Sequence, residues 1–351
     1  MGTKIRTEAE KLPLWKRAMF TVIGLLCSLA IAVAALLFVD LYLHHKFDKV
    51  GTVNRRGYRG SIVGEKKPRE LRLVVLGGST AYGYGVGPKE SFPAQLENEL
   101  RAYTKRPVTV VNLASNGAGA YYFLPTLQDY AYLDYDDVIL YEGYNDLTEY
   151  SNPELRNLSM PRRDSPIFRA FGYYPITPLI LTEKIAVMRS HGKPGAADGE
   201  KRIVFRPGLA DRTKAGALDA AANVSRKLND QLSRPSGQSA FQPLEDCSVR
   251  GVFYCGCVRV AIEYATTNNH HVFVVSQPYI SPDHIQQQHE LASMIAKRFG
   301  SSRNVTYVNL GDAINLHDRN LVYDGMHLVA AGNRIIAKRL AMTVASALGL
   351  Q

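Results

Sequence analysis

Four short segments of the chain combine the residue types that acyl transfer needs. They are residues 77–80 (GGST), 112–119 (NLASNGAG), 143–146 (GYND) and 324–327 (DGMH). A serine in a glycine-rich turn is open to a substrate, and its own backbone N–H can face a developing oxyanion. A histidine three residues after an aspartate can act as a general base that the carboxylate orients. Together, the segments predict a nucleophile, a base, an orienting acid and two further oxyanion donors.

Each segment alone also fits a structural role. Ser79 and Asp324 could each cap a helix, and glycine and asparagine are common in turns. The glycines of residues 83–87 (GYGVG) lack the Gly-x-Gly-x-x-Gly spacing of a dinucleotide site. The prediction of an acyl-transfer site therefore depends on finding all four segments together, in this order.

The elements that position these segments follow from the pattern of apolar residues. Strands are predicted over residues 71–76, 108–111, 138–141, 272–275 and 305–308, and helices over residues 91–103, 257–267, 282–299 and 330–348. This alternation predicts an α/β fold with a parallel sheet covered by helices on both faces. Three of the four segments directly follow predicted strands, and the carboxyl ends of parallel strands are where such sheets bind ligands.

The four segments resemble the motif blocks of the SGNH (GDSL-type) hydrolase family, which supply Ser, Gly, Asn and His in that order. The matching residues are Ser79, Gly117, Asn145, Asp324 and His327. The resemblance covers about residues 71–150 and 268–348, and it implies a three-layer, flavodoxin-like sandwich. It also implies ester hydrolysis by a triad of Ser79, His327 and Asp324. The oxyanion hole would consist of the Ser79 and Gly117 N–H groups and the Asn145 side chain.

One position departs from the pattern of this family. Its first block usually reads Gly-Asp-Ser, whereas Gly78 precedes Ser79 here. The resulting Gly-Gly-Ser-Thr block is similar to that of membrane-anchored members. The missing carboxylate belongs to no triad, so the expected reaction is unchanged, while local hydrogen bonding and substrate preference stay open.

A charge-free run near the N-terminus predicts a membrane anchor. Ala18–Val39 has 22 residues and would span roughly 33 Å as a helix, enough for a bilayer core of about 30 Å. A cleaved signal peptide is the alternative, but residues 32–34 (AVA) lie inside the run rather than at its end. Basic residues flank both sides, so the charge bias for orientation is weak. We expect a retained anchor with the main body outside the cytoplasm.

These features predict a simple division of the chain. Residues 1–17 form a cytoplasmic segment, residues 18–43 the anchor, and residues 44–70 a basic tether. Residues 71–350 form the hydrolase domain, interrupted by an insertion or cap at 151–246. Within that insertion we expect a mobile loop over 191–208 and a helix over 211–232.

Composition excludes several classes of partner. The net charge of +10 comes mainly from residues 1–70, which carry 13 Lys and Arg against 6 Asp and Glu; the remaining 281 carry 29 against 26. The body is thus nearly neutral, which argues against nucleic-acid binding. No histidine spacing indicates a metal site, and no cofactor is expected. Cys247 could form a disulfide with Cys255 or Cys257 in an oxidising compartment.

The expected function is a membrane-anchored serine esterase that hydrolyses acyl esters, including O-acetyl esters, of small molecules, glycans or lipids. Two alternatives remain open from the sequence. One is a lysophospholipase or thioesterase, and an apolar inner surface of the insertion would favour this alternative. The other is a catalytically silent SGNH module in the assembly of an envelope polysaccharide.

Overall fold

The computed structural model describes residues 13–47, 53–147, 162–189, 247–248 and 251–350. At its centre are five strands: β1 (Leu71–Gly77), β2 (Val108–Asn112), β3 (Asp137–Tyr141), β4 (His271–Val275) and β5 (Val305–Val308). All neighbouring strands are parallel, in the order β2-β1-β3-β4-β5. This is the flavodoxin-like strand order. The predicted parallel sheet is confirmed, and each predicted strand end lies within one residue of the observed one.

Nine α-helices are described, and most of them pack against one of the two faces of the sheet. They are α1 (Leu14–Phe47), α2 (Ser79–Tyr82), α3 (Phe92–Leu100), α4 (Phe123–Asp129), α5 (Pro166–Phe171), α6 (Thr177–Arg189), α7 (Val252–Thr267), α8 (Pro282–Phe299) and α9 (Ala330–Ala347). The prediction for α8 is confirmed at both ends. Helix α7 begins five residues before the predicted start, because the apolar residues preceding Cys257 continue its buried face.

Two apolar layers lie on opposite faces of the sheet. Side chains alternate along β1, so that Leu73 and Val75 contact one layer while Val74 and Leu76 contact the other. The first layer consists mainly of α3 and α9, and the second of α4, α7 and α8. The sheet is therefore the middle of a three-layer sandwich, as the sequence predicts.

Helix α1 is longer than the predicted anchor of residues 18–43. Its most apolar 18-residue window has a mean hydropathy of 2.9 and contains no buried residue. By length and composition this helix could cross a membrane, and a signal sequence passes the same test. The helix continues to Phe47, so the first residues of the predicted tether are helical. Near this end, Asp40 is buried against the body.

Residues 53–70, the described remainder of the predicted tether, also differ from the expectation. Tyr58 and Arg59 are both buried. The Arg59 backbone N–H donates to the Asn112 carbonyl at 3.1 Å, and its guanidinium donates to the Tyr82 carbonyl. This stretch is folded onto the domain rather than solvated, because its aromatic ring and guanidinium group find partners there.

Two helices of the predicted insertion, 151–246, are described. Ile176 and Ile180 pack into the same layer as α4 and α7, so the described residues 162–189 of the insertion extend that layer. The loop expected over 191–208 and the helix expected over 211–232 lie outside the described residues.

Candidate active site

Three of the four sequence segments lie at the carboxyl edge of the sheet. Ser79 follows β1, Gly117 follows β2 and Asn145 follows β3. The fourth segment, which precedes α9, contributes Asp324 and His327. Since β1, β2 and β3 are adjacent and parallel, their carboxyl ends bring residues that are distant in sequence to one edge.

Ser79 is the first residue of α2, a helix of a single turn. Gly78 precedes it with an extended backbone, and Gly83 ends the helix at a φ of 81°. A positive φ of this size favours glycine over residues that carry a Cβ. The side chain of Ser79 is 5% exposed. The tight turn from β1 into α2 thus holds the hydroxyl at the tip of the strand.

The hydroxyl, imidazole and carboxylate that the sequence predicts to act together are connected by hydrogen bonds. The Nε2 atom of His327 lies 2.8 Å from Ser79 Oγ, although 248 positions separate the two residues. Its Nδ1 atom lies 2.6 Å from Asp324 Oδ2. This is the arrangement in which a carboxylate fixes the imidazole tautomer that can accept a serine proton.

Backbone N–H groups of its own turn orient the carboxylate of Asp324. Its Oδ1 atom accepts the backbone N–H groups of His327 at 2.7 Å and of Met326 at 3.1 Å. Burial alone would raise the pKa of Asp324. Attraction to His327 and the hydrogen bonds from His327 and Met326 outweigh burial and hold the pKa below its usual value. Asp324 is therefore ionised at neutral pH, as an orienting carboxylate must be.

Two tyrosines pack against the imidazole and were not predicted as site residues. The ring centroid of Tyr84 lies 4.8 Å from that of His327, and the ring of Tyr323 stacks at 5.7 Å. Gly85 allows this packing, because a Cβ there would lie 2.6 Å from a ring carbon of Tyr323. The glycine-rich stretch after α2 thus serves aromatic packing. Its sequence signal was only a tyrosine between glycines and a tyrosine before Asp324.

The two other predicted oxyanion donors lie in the loops after β2 and β3. One N–H of the Asn145 side-chain amide donates to the Ala118 carbonyl at 2.9 Å. This bond ties the third segment to the second and leaves the other amide N–H for a ligand. Gly117 has a φ of 69°, and a Cβ at this position would meet no described atom within 4 Å. Its turn therefore borders open space.

The absent aspartate of the first segment has a structural counterpart. A Cβ on Gly78 would lie 2.2 Å from Asn145 Nδ2 and 2.3 Å from Glu142 Oε2. Glu142 is buried, and its Oε1 atom accepts the backbone N–H groups of Gly143 and Asn145 at 3.0 and 3.1 Å. A carboxylate from the end of β3 thus occupies the space beside Gly78, and no side chain fits at that position.

A buried glutamine connects the first segment with the third. Gln277 follows β4 and is fully buried. Its amide N–H donates to Thr80 Oγ1 at 2.6 Å, while its Oε1 accepts the Tyr144 backbone N–H at 2.9 Å. The only sequence signal for Gln277 was its place after a predicted strand. Gln277 therefore fixes the position of Thr80, which follows Ser79, relative to Tyr144, which precedes Asn145.

Cys247, Cys255 and His284 have structural roles outside the triad. Cys247 forms a disulfide with Cys255, and Cys257 is free; this decides between the two pairings left open by the sequence. His284 packs against the Tyr144 ring, and burial lowers its pKa to about 4. Among the described residues, no three His, Cys, Asp or Glu side chains are grouped so that they could hold a metal ion.

Comparison with known proteins gave matches among solved structures only. No family model and no curated protein matches the chain. A Clostridium thermocellum family 3 carbohydrate esterase is 12% identical, with a TM-score of 0.45 over 80% of this chain and 98% of its own. A family two carbohydrate esterase from Clostridium thermocellum, in complex with cellohexaose, is 13% identical, with a TM-score of 0.44 over 83% of this chain and 69% of its own.

A lipolytic protein of the G-D-S-L family from Desulfitobacterium hafniense is 10% identical, with a TM-score of 0.39 over 78% of this chain and 98% of its own. The chain itself has a flavodoxin-like sheet and carries, in order, residues that match the four blocks. In architecture and in motifs, the chain is therefore similar to the SGNH (GDSL-type) hydrolases.

Proposed function

We propose that this protein is a membrane-anchored serine esterase that hydrolyses acyl esters. The observation that carries the proposal is the hydrogen-bonded series Ser79–His327–Asp324, which joins residues from opposite ends of the domain. A serine that only caps a helix does not require an imidazole at 2.8 Å, and a histidine that only stabilises a turn does not require a buried serine. Structural roles alone therefore do not explain why the two side chains meet.

The reaction would proceed through an acyl-enzyme. His327 Nε2 takes the hydroxyl proton as Ser79 Oγ attacks the ester carbonyl, and a tetrahedral oxyanion forms. When the intermediate collapses, the C–O bond to the alcohol breaks, and the imidazolium gives its proton to that alcohol. Water then attacks the acyl-serine with His327 again as base, which releases the carboxylic acid and restores Ser79.

Charge on the oxyanion would be stabilised by the backbone N–H groups of Ser79 and Gly117 and by the Asn145 amide. Each donor comes from a different loop at the carboxyl edge. The bond from Asn145 to Ala118 supports this role, because it orients the amide before a substrate arrives. Donors fixed in advance stabilise the transition state without a reorganisation cost during the reaction.

The proposed location is the outer side of a membrane, with α1 as the anchor. The apolar length of α1 supports a span. The disulfide between Cys247 and Cys255 supports an oxidising compartment for the domain, since cytoplasmic proteins keep such pairs reduced. Esters of envelope glycans or of lipids, held near the membrane, are the substrates that this location favours.

The test is covalent labelling of the full chain in detergent with a fluorophosphonate probe, together with turnover of aryl esters of increasing acyl length and of an acetylated glycan. We expect labelling and turnover of the unmodified chain, and loss of both in Ser79→Ala. Ser301→Ala, which removes an exposed hydroxyl, is the matched control and should behave as the unmodified chain. Labelling of Ser79→Ala at the normal rate would refute the assignment, and an unmodified chain that is never labelled would favour the silent module.

A further inference from the structure

The helices α5 and α6 expose an unusual amount of apolar surface. Apart from α1, eight large apolar side chains are exposed among the described residues, and five of them belong to these two helices: Ile167, Phe171, Leu181, Ile185 and Met188. Phe171 is 77% exposed and Met188 is 70% exposed. On each helix these residues are three or four positions apart, so they share one face of that helix. Exposed apolar faces of this kind generally mark a site of protein or membrane interaction. We call these five residues the α5–α6 patch.

The α5–α6 patch is fixed at the end of the apolar part of α1. Asp40 directly follows the charge-free run, and its carboxylate accepts the backbone N–H groups of Ile176 at 3.0 Å and of Thr177 at 2.6 Å. It also accepts the Tyr173 hydroxyl. Nearby, His44 Nε2 lies 3.0 Å from the Tyr174 carbonyl. The turn between α5 and α6 is therefore at the level where α1 leaves its apolar run.

Basic side chains lie beside the same turn. The Tyr174 backbone N–H donates to the Arg55 carbonyl at 2.8 Å, and Arg56 Nη1 lies 3.4 Å from the Gly172 carbonyl. Arg55 and Arg56 are exposed. Three further basic residues of the adjoining helices are exposed as well: Lys46, Arg169 and Lys184. Apolar side chains next to basic ones match the acyl chains and anionic headgroups of a lipid surface.

We propose that the α5–α6 patch and its basic neighbours lie on the surface of an anionic bilayer, with Phe171 inserted among the lipids. The proposal rests on the proposed anchoring by α1, which places the α5–α6 turn at the membrane boundary. The domain then contacts the bilayer at two points, the anchor and the patch, and its orientation is fixed. An anchor alone would let the domain rotate and tilt.

The experiment uses the full chain in vesicles and reads tryptophan quenching by lipids brominated near the headgroup. Trp15 is the only tryptophan of the chain, so Trp15→Phe gives a background in which Phe171→Trp or Ile185→Trp is the only fluorophore. Met342→Trp is the matched control, because Met342 is 48% exposed on α9, in the layer on the other face of the sheet.

In vesicles of phosphatidylcholine with phosphatidylglycerol, we expect quenching of the tryptophan at 171 to exceed that at 342 at least threefold, with 185 between them. Equal quenching at 171, 185 and 342 would overturn the proposal. A blue-shifted tryptophan at 171 that lipids do not quench would also overturn it, since another protein surface would then cover the patch. Quenching that is equally strong without phosphatidylglycerol would overturn the role of anionic lipid.

The anchor is tested separately in the unmodified chain. Quenching of Trp15 reports whether α1 is in the bilayer, independently of ester hydrolysis. If Trp15 is quenched while the tryptophan at 171 is not, the patch proposal fails and the anchor stands. If Trp15 is not quenched either, the anchoring on which both proposals depend is wrong.

Discussion

The two ends of the central sheet both bury polar and charged groups, yet they differ in what those groups do. At the carboxyl end, Ser79 meets a histidine oriented by a carboxylate. At the amino end, Arg72 is 2% exposed and donates to Glu70 at 2.9 Å and to the Leu133 carbonyl at 2.7 Å. The amino end thus pairs Arg72 with other fixed groups. An imidazole also lies beside a hydroxyl there, with His271 Nε2 2.9 Å from Thr306 Oγ1, but no described carboxylate orients that imidazole.

The difference shows that buried charge by itself does not identify an active site. Asp137, at the start of β3, has a pKa raised to about 7, first by burial and then by repulsion from Asp136. A search for perturbed acids would select it before Asp324. The strand direction and the serine–imidazole pair are what distinguish the carboxyl end. Substitutions there should change turnover, and substitutions at the amino end should change stability.

The largest expected effect is that of Asp324→Asn. It leaves the shape of the turn but removes the charge that holds the imidazole tautomer, so kcat should fall by about 10⁴. The melting temperature should change little. Asp312→Asn, at an exposed aspartate, is the control in the same ester assay. A fall in kcat of less than tenfold would show that Asp324 does not orient His327.

Arg72→Met is the corresponding change at the amino end. It leaves the Glu70 carboxylate buried without its partner, which should lower the free energy of unfolding by about 3 kcal/mol. Arg101→Met removes an exposed pair with Glu97 and should cost less than about 0.5 kcal/mol. Chemical denaturation in detergent measures both. If the folded fraction of Arg72→Met lost its turnover, the division between the two ends would be wrong.

Asn145→Ala removes one proposed oxyanion donor. We expect kcat to fall by about 10²–10³, with less change in KM, because the donor acts mainly on charge that develops in the transition state. Asn320→Ala, at an exposed asparagine, should leave both constants unchanged. An effect confined to KM would indicate that Asn145 binds the ground state instead.

Asp137→Asn should stabilise the protein in a pH-dependent way. The pKa of Asp137 is about 7 in the folded state against 3.8 for an ordinary aspartate. Between these values the folded state binds the proton that the unfolded state has lost, so this group makes stability fall as pH rises from about 4 to 7. Removing the charge should therefore stabilise more at pH 8 than at pH 5, by on the order of 2 kcal/mol.

Thermal unfolding of Asp137→Asn at the two pH values measures this difference, with Asp312→Asn as the control. Turnover per folded molecule should be unchanged. A gain in stability of the same size at both pH values would contradict the raised pKa.

The sequence predicted what depends on local patterns. Apolar runs placed all five strands, and residues such as Ser79 and Asn145 stood directly after them. Asp324 and His327 are three positions apart, so one turn brings them together. The meeting of Ser79 with His327 was predictable only because the order of the four segments resembled a known family.

The contacts that sequence reasoning missed join residues far apart in the chain. Gln277 contacts Thr80 across 197 positions, and Asp40 contacts Thr177 across 137. Arg59 was assigned to a basic tether outside the domain, whereas the carbonyls that accept its guanidinium come from the end of α2 and the residue after it. No periodicity in the sequence encodes such pairs; they follow from the sheet order and from the packing of α1.

The unbroken course of α1 into its contacts with the body limits where the enzyme works. In a chain anchored as proposed, a flexible linker would let the catalytic edge move through a wide volume. A helix held to the body at Asp40 and His44, together with the α5–α6 patch on the bilayer, would keep that edge at a constant height. Only ester groups that reach this height would be cleaved, whatever their abundance elsewhere. Selection among chemically equivalent esters would then depend on their depth in the envelope as well as on the shape of the cleft.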